Sequence, residues 1–229
     1  MNTTHKPYML DAPGCLKIRP PARTLLTSFY SIMLGVGLCS CSFLKPAKST
    51  TRYYVLTPLA AAQTGSGSLA VGLGQVKLPA YLFNTSLAVR KGTNEVEYLD
   101  SALWAERLDA SFQRVLAADL AVVLPTQQVR LSAWQGDDVA AEVYVTIEQF
   151  DVDNGGQGVL VARWRILSPG GEKVMNSGGS RLSRQGPPPD GGASGAVATL
   201  SELVADLSRQ LAQALKDTPL ASRNSQSQR

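Results

Sequence analysis

Two alternating runs joined by a tight-turn tetrapeptide constrain this chain more than any other feature. From Val139 to Asp153 the stretch VAAEVYVTIEQFDVD sets Val143, Val145 and Ile147 against Glu142, Tyr144, Thr146 and Glu148. That is the period of a strand with one buried and one wet face. GQGVLVARWRILSP follows, with Leu160, Ala162, Trp164 and Ile166 on one side, and the intervening DNGG from Asp153 is a hairpin signal. A sheet with so long an apolar face must be covered by another layer.

Two segments have the pattern to cover it. In SALWAERLDASFQRVLAADLAVVL, Leu108, Phe112, Val115, Leu116, Leu120 and Val123 recur at helical spacing, with Ser101 as the cap and Pro125 as the stop. Glu106, Asp109 and Asp119 share this segment with Arg107 and Arg114, the pattern of a solvated, ion-paired face. A closing helix carries Val197, Leu200, Leu203, Val204, Leu207, Leu211 and Leu215. Elsewhere RYYVL reads as a first strand and Ser68 to Leu78 as a second, its Gly72 and Gly74 marking a bulge or a close neighbour. PAYLFN reads as a helical turn, SLAVRKG with EVEYLD as a hairpin, and EKVMNSGGSRLSR as a weaker strand. The predicted fold class is α+β, a single layered domain whose mixed, mostly antiparallel sheet packs with two amphipathic helices.

The N-terminus reads as an address. Lys6, Lys17, Arg19 and Arg23 face one acid, Asp11, and precede the uncharged run Thr24 to Leu38. Those residues reach only ~22 Å as a helix, short of a ~30 Å hydrocarbon core, so the run is a secretory signal and not a membrane span. Leu38-Cys39-Ser40-Cys41 resembles a bacterial lipobox in the register that makes Cys41 the mature N-terminus. The resemblance implies acylation of Cys41 by fatty chains such as palmitate. With Ser42 and not aspartate after it, it also implies delivery to the outer membrane, facing the periplasm. The expected organisation is a signal peptide over 1–40, a lipidated tether over 41–51, a domain over 52–217 and a polar, disordered tail over 218–229.

Removal of the signal also removes much chemistry. Residues 1–40 hold four of the 22 Lys+Arg and one of the 18 Asp+Glu, leaving 18 against 17 and no basic field for nucleic acid. The only histidine, His5, leaves with them, and Cys41 is the last cysteine. Ser-His-Asp, Cys-His and His-ligated metal sites are therefore excluded, and no enzyme activity, metal or cofactor is expected. DVDNGGQG has an acidic look, but Gly155 and Ala162 fall where a calcium loop needs ligands. GSGS and GLGQV lack the Gly-Lys-Ser/Thr of a phosphate-binding loop, so ATP would belong to another subunit.

RYYVLTP, then VKLPAYLFNTSLAVRKGTNEVEYLDSALWAERLDASFQRVLAADLA, then IEQFDVDNGGQGVLVARWRIL, with a closing amphipathic helix, resemble the ABC-type transport auxiliary lipoproteins of the PqiC/YmbA type. The likeness spans roughly Tyr53 to Leu215. It implies a non-catalytic subunit that docks on an MCE-domain protein and, through it, an ABC permease and ATPase, in lipid transport and envelope integrity. Copies of the chain are expected to associate. The alternative is an outer-membrane lipoprotein that itself binds and carries a lipid.

Leu78, Pro79, Tyr81, Leu82 and Phe83 place large apolar groups around a proline. Either they form an exposed contact patch or they plug the core beneath the helix; Trp104, at the expected helix start, carries the same two readings. The anchor assignment has a direct check by gel mobility and mass spectrometry. Cys41→Ser is expected to stay uncleaved and unacylated, whereas Cys39→Ser is processed normally.

Overall fold

In the computed structural model the chain divides at residue 49, and the second unit begins at Thr50. The structure describes residues 50–59, 69–124, 127–131, 134–135 and 138–220. The signal peptide, Cys41, most of the tether and residues 221–229 of the expected tail lie outside the described residues; of the tail's first three residues, Thr218 is buried and its hydroxyl donates to the Ala214 carbonyl.

Eight strands form one mixed sheet: β1 (Arg52–Tyr54), β2 (Leu69–Leu73), β3 (Ser86–Arg90), β4 (Val96–Trp104), β5 (Gln127–Leu131), β6 (Ala141–Asp153), β7 (Gln157–Leu167) and β8 (Val174–Gln185). Two helices, α1 (Leu108–Val123) and α2 (Ala193–Lys216), cover one face. The α+β layered architecture expected from the alternating runs is present.

The sheet is organised by β6. Its whole length pairs antiparallel with β7, which pairs antiparallel with β8. A strand has only two edges, so the other edge of β6 is shared. β2 runs parallel to its first residues, Lys77 bridges to Thr146, and β3 runs parallel to Val152 and Asp153. From this fork one arm extends through β2 to β5, and the other through β3 to β4 and β1. A bulge between Ile147 and Gln149 inserts an extra residue and reverses which side chains face the helices. Before it Val143, Val145 and Ile147 are buried; after it Phe150 and Val152 are, and Asp151 turns to the opposite face. The Phe150 ring meets Phe112 of α1 edge-on, with centroids 5.0 Å apart.

Several expectations are met in detail. All seven apolar positions predicted for the closing helix are buried. Gly72 and Gly74 allow close approach: a Cβ on either would lie 2.6 Å from the ring of Trp134 or Tyr144. At the β6–β7 turn Gly156 has φ +83°, and its N–H donates to the Asp153 carbonyl. Trp164 is half-buried over Gly178, and its Nε1–H donates to Ser180 Oγ.

Other expectations are corrected. Ser101 caps nothing: the strand of EVEYLD continues through it to Trp104, because Ala102 and Trp104 pair with Arg52 and Tyr54 and face the core. The helix starts only at Leu108, and Trp104 ends a strand. Asp119 is not on a solvated face but is fully buried. Its Oδ1 accepts the Leu59 N–H at 2.8 Å while Oδ2 has no hydrogen-bond partner, and burial raises its pKa. Together with Ser201 Oγ, which accepts the Thr57 N–H, it stitches the segment after β1 across both helices.

Gly156 combines a left-handed backbone with crowding, since a Cβ there would lie 2.3 Å from the Gly186 carbonyl oxygen. Gly156→Ala is expected to lower unfolding stability by about 1–3 kcal/mol in denaturant titration. Gly92→Ala, with nothing within 4 Å of its added carbon, should stay within about 0.5 kcal/mol of wild type.

Candidate functional site

The segment before β3 fills the gap that the fork leaves on β6. Pro79 enters it with φ −68°, a 3₁₀ turn covers Ala80–Phe83, and the Leu82 N–H donates to the Pro79 carbonyl. Leu78 and Leu82 are buried, Pro79 and Tyr81 are half-buried, and Phe83 is 56% exposed. The apolar stretch is thus divided between the two readings: its leucines plug the core while Phe83 stands out.

Tyr81 locks the turn down. Its hydroxyl accepts the Phe150 N–H at 3.2 Å and donates to Asp151 Oδ2 at 2.8 Å. Arg90 pairs with the same carboxylate, Nη2 to Oδ2 at 2.6 Å, and Gln149 Nε2 donates to Oδ1. Tyr98 donates its hydroxyl proton to the Tyr81 carbonyl at 2.9 Å. Burial, assisted by the neighbouring Asp151 and opposed by the Phe150 N–H, pushes the Tyr81 pKa up to about 12. The Asp151 carboxylate is fully engaged with protein groups, which leaves DVDNGGQG as a hairpin and not a cation loop. Among the described residues no cluster of three or more His, Cys, Asp or Glu is arranged to hold a metal ion.

Beside this turn lies a groove of about 410 Å³. Leu82, Phe83, Trp104 and Leu108 give it an apolar side, and Asn84 and Thr85 with the charged Glu106, Arg107 and Asp109 a polar one. It brings Leu82, Phe83 and Trp104 together, though Leu78, Pro79 and Tyr81 take no part. Trp104 is only 9% exposed, so it lines the groove without projecting from it. The polar rim is internally neutralised: Arg107 pairs with Asp109 at 2.7 Å and Arg114 with Glu106. The Arg107 guanidinium holds the Asp109 carboxyl below its usual pKa. A recess with Leu82, Trp104 and Leu108 on one side and a self-paired polar rim on the other can accept an inserted hydrophobic side chain.

The family model for the ABC-type transport auxiliary lipoprotein component matches residues 54–212. The chain belongs to that family. Two solved structures share the fold of this auxiliary lipoprotein. One, an uncharacterized protein, is 21% identical with a TM-score of 0.62, covering 72% of this chain and 98% of its own. The other, from Xanthomonas campestris, is 11% identical with a TM-score of 0.60, covering 73% and 97%. No curated protein sequence matches. The family match makes the lipoprotein an auxiliary component of ABC-type transport, with a transporter as its partner. Among its described residues no helix is long and apolar enough to cross a membrane.

Sequence reasoning did not single out Asp151, Arg90 or Tyr98 as the partners of Tyr81. Only the tyrosine itself, a polar atom inside an apolar stretch, signalled that an internal hydrogen bond was required. Tyr81→Phe is expected to orphan the Phe150 N–H and to leave Asp151 Oδ2 with Arg90 alone, lowering stability by about 1–3 kcal/mol at neutral pH. A folded-state pKa above that of the unfolded chain means the Tyr81 contribution is complete below pH 10 and is lost as pH rises toward about 12. Denaturant titration across that alkaline range should show the loss in wild type and its absence in the variant.

Proposed function

We propose that this lipoprotein is held in the outer membrane by acyl chains on Cys41, faces the periplasm, and serves as a docking subunit of an MCE-type ABC transport system. The signal over 1–40 is removed, residues 41–51 act as the tether, and the domain over 52–217 binds the MCE component and copies of itself. The role is positional: the domain seats a lipid conduit against the membrane while ATP is consumed elsewhere. The observation that carries this reading is the groove at Leu82 and Trp104 with Phe83 exposed beside it. It offers an exposed aromatic side chain beside a recess of mixed apolar and polar lining, on a domain of a transport-auxiliary family.

Carriage of a lipid inside the fold would need an interior cavity. The layer between sheet and helices is instead filled by Phe112, Phe150, Leu116, Leu120, Leu203 and Leu207, each at most 1% exposed. This packing favours docking over carriage.

Full-length lipoprotein purified gently from native membranes is expected to bring an MCE-domain protein with it, identified by mass spectrometry. Phe83→Asp should reduce that recovery about tenfold or more, as loss of an interface anchor does, without lowering the melting temperature, because the side chain is exposed. A protein that arrives alone with bound phospholipid would overturn docking in favour of carriage.

A further inference from the structure

Tyr53 and Val55, two residues apart at the start of the domain, are 68% and 45% exposed. Between and beyond them, Tyr54 packs on the core beside Trp104 and Leu56 is 1% exposed. This first segment therefore carries apolar side chains in both directions, and the outward pair is left uncovered, Tyr53 on an edge strand that pairs only with β4 among the described strands and Val55 just past its end. The chain immediately upstream shows what lies within reach. Cys41 precedes Arg52 by eleven residues, about 40 Å at full extension. From Cys41 to Leu56 there are three cations, Lys45, Lys48 and Arg52, and no acid.

We propose that the side of β1 and its following residue bearing Tyr53 and Val55 lies against the bilayer that holds the Cys41 acyl chains, with anionic phospholipid headgroups as its chemical partner. The inference rests on the reading of Cys41 as the lipid anchor. Tyrosine suits headgroup depth, where its ring is shielded and its hydroxyl stays wet. Lysine and arginine in the adjoining segment are drawn to an anionic surface. A short tether keeps β1 at high effective concentration near that surface, so a small contact is sufficient. The anchor and β1 then form a two-point attachment that fixes the orientation of the domain, beyond merely retaining it.

The mature chain has no thiol except the acylated one, so Val55→Cys and Val174→Cys each introduce a single site for an environment-sensitive fluorophore. Val174 is also exposed, at the start of β8. Full-length lipidated protein is reconstituted into phosphatidylcholine vesicles containing a quarter phosphatidylglycerol, with nitroxide-labelled headgroups as quencher. Emission at position 55 is expected to shift to the blue and to be quenched several-fold more than at 174. Arg52→Glu combined with Lys45→Glu and Lys48→Glu should reduce that difference. Equal, weak quenching at both sites in protein that retains its acyl mass would overturn the membrane contact while leaving the anchor intact. A blue shift without quenching by lipid would overturn it in favour of a protein covering β1. Absence of acyl mass in the intact protein would overturn the anchor reading and this inference together.

Discussion

The fork on β6 is the constraint from which the rest of the structure follows. One edge of the strand is taken by β7, so β2 and β3 must share the other, and they do not meet. The Phe150 N–H falls in the interval between them. Left unpaired there, it would cost about as much as a typical hydrogen bond contributes. The hydroxyl of Tyr81 takes its place, and Asp151, turned by the bulge to the face opposite the helices and buried there, holds that hydroxyl and Arg90 at once. One side-chain cluster therefore fills that interval and fixes the 3₁₀ turn to β6, β3 and β4.

The candidate contact surface is a by-product of this closure. With Tyr81 pinned inward and Leu82 buried, the next residue of the turn points away, which brings Phe83 out beside Trp104. The ion pairs at the rim neutralise one another, so affinity there depends on burying apolar surface more than on charge. Such a surface sits well on a transport-auxiliary subunit. It offers a recess for recognition, and its carboxylates and tyrosine are committed to structure.

Much of the fold was legible because its longest elements obey their periods strictly. The alternation around Val143, Val145 and Ile147, the DNGG turn and the leucine spacing of the closing helix each specify one structure. Legibility failed where long-range pairing overruled local preference. Ser101 to Trp104 has a composition that tolerates a helix, but the backbone of β1 pairs with it, and sheet continuity wins. β5 is a short QQVRL whose partner, β2, lies far upstream, so no local pattern announces it. The groove was half legible: LPAYLF stood out as apolar, yet which of its side chains would be exposed depends on where the turn lands on β6. Asp119 was misread because a helical carboxylate near arginines carries no mark of the Leu59 N–H that buries it.

The same fork orders events in time. A chain emerging from its N-terminus presents β2 long before residues 127–131 and 141–143, its strand partners among the described residues. β1 likewise waits for Ala102 to Trp104. The β3–β4 hairpin and the first helix are local and form early, but neither arm can be joined to the other until β6 arrives. Assembly is thus withheld until about two-thirds of the polypeptide is available. The last portion to emerge, the meander and its closing helix, then brings the earlier pieces together. A nascent protein with this wiring stays open to chaperones for most of its passage and commits to its final shape late.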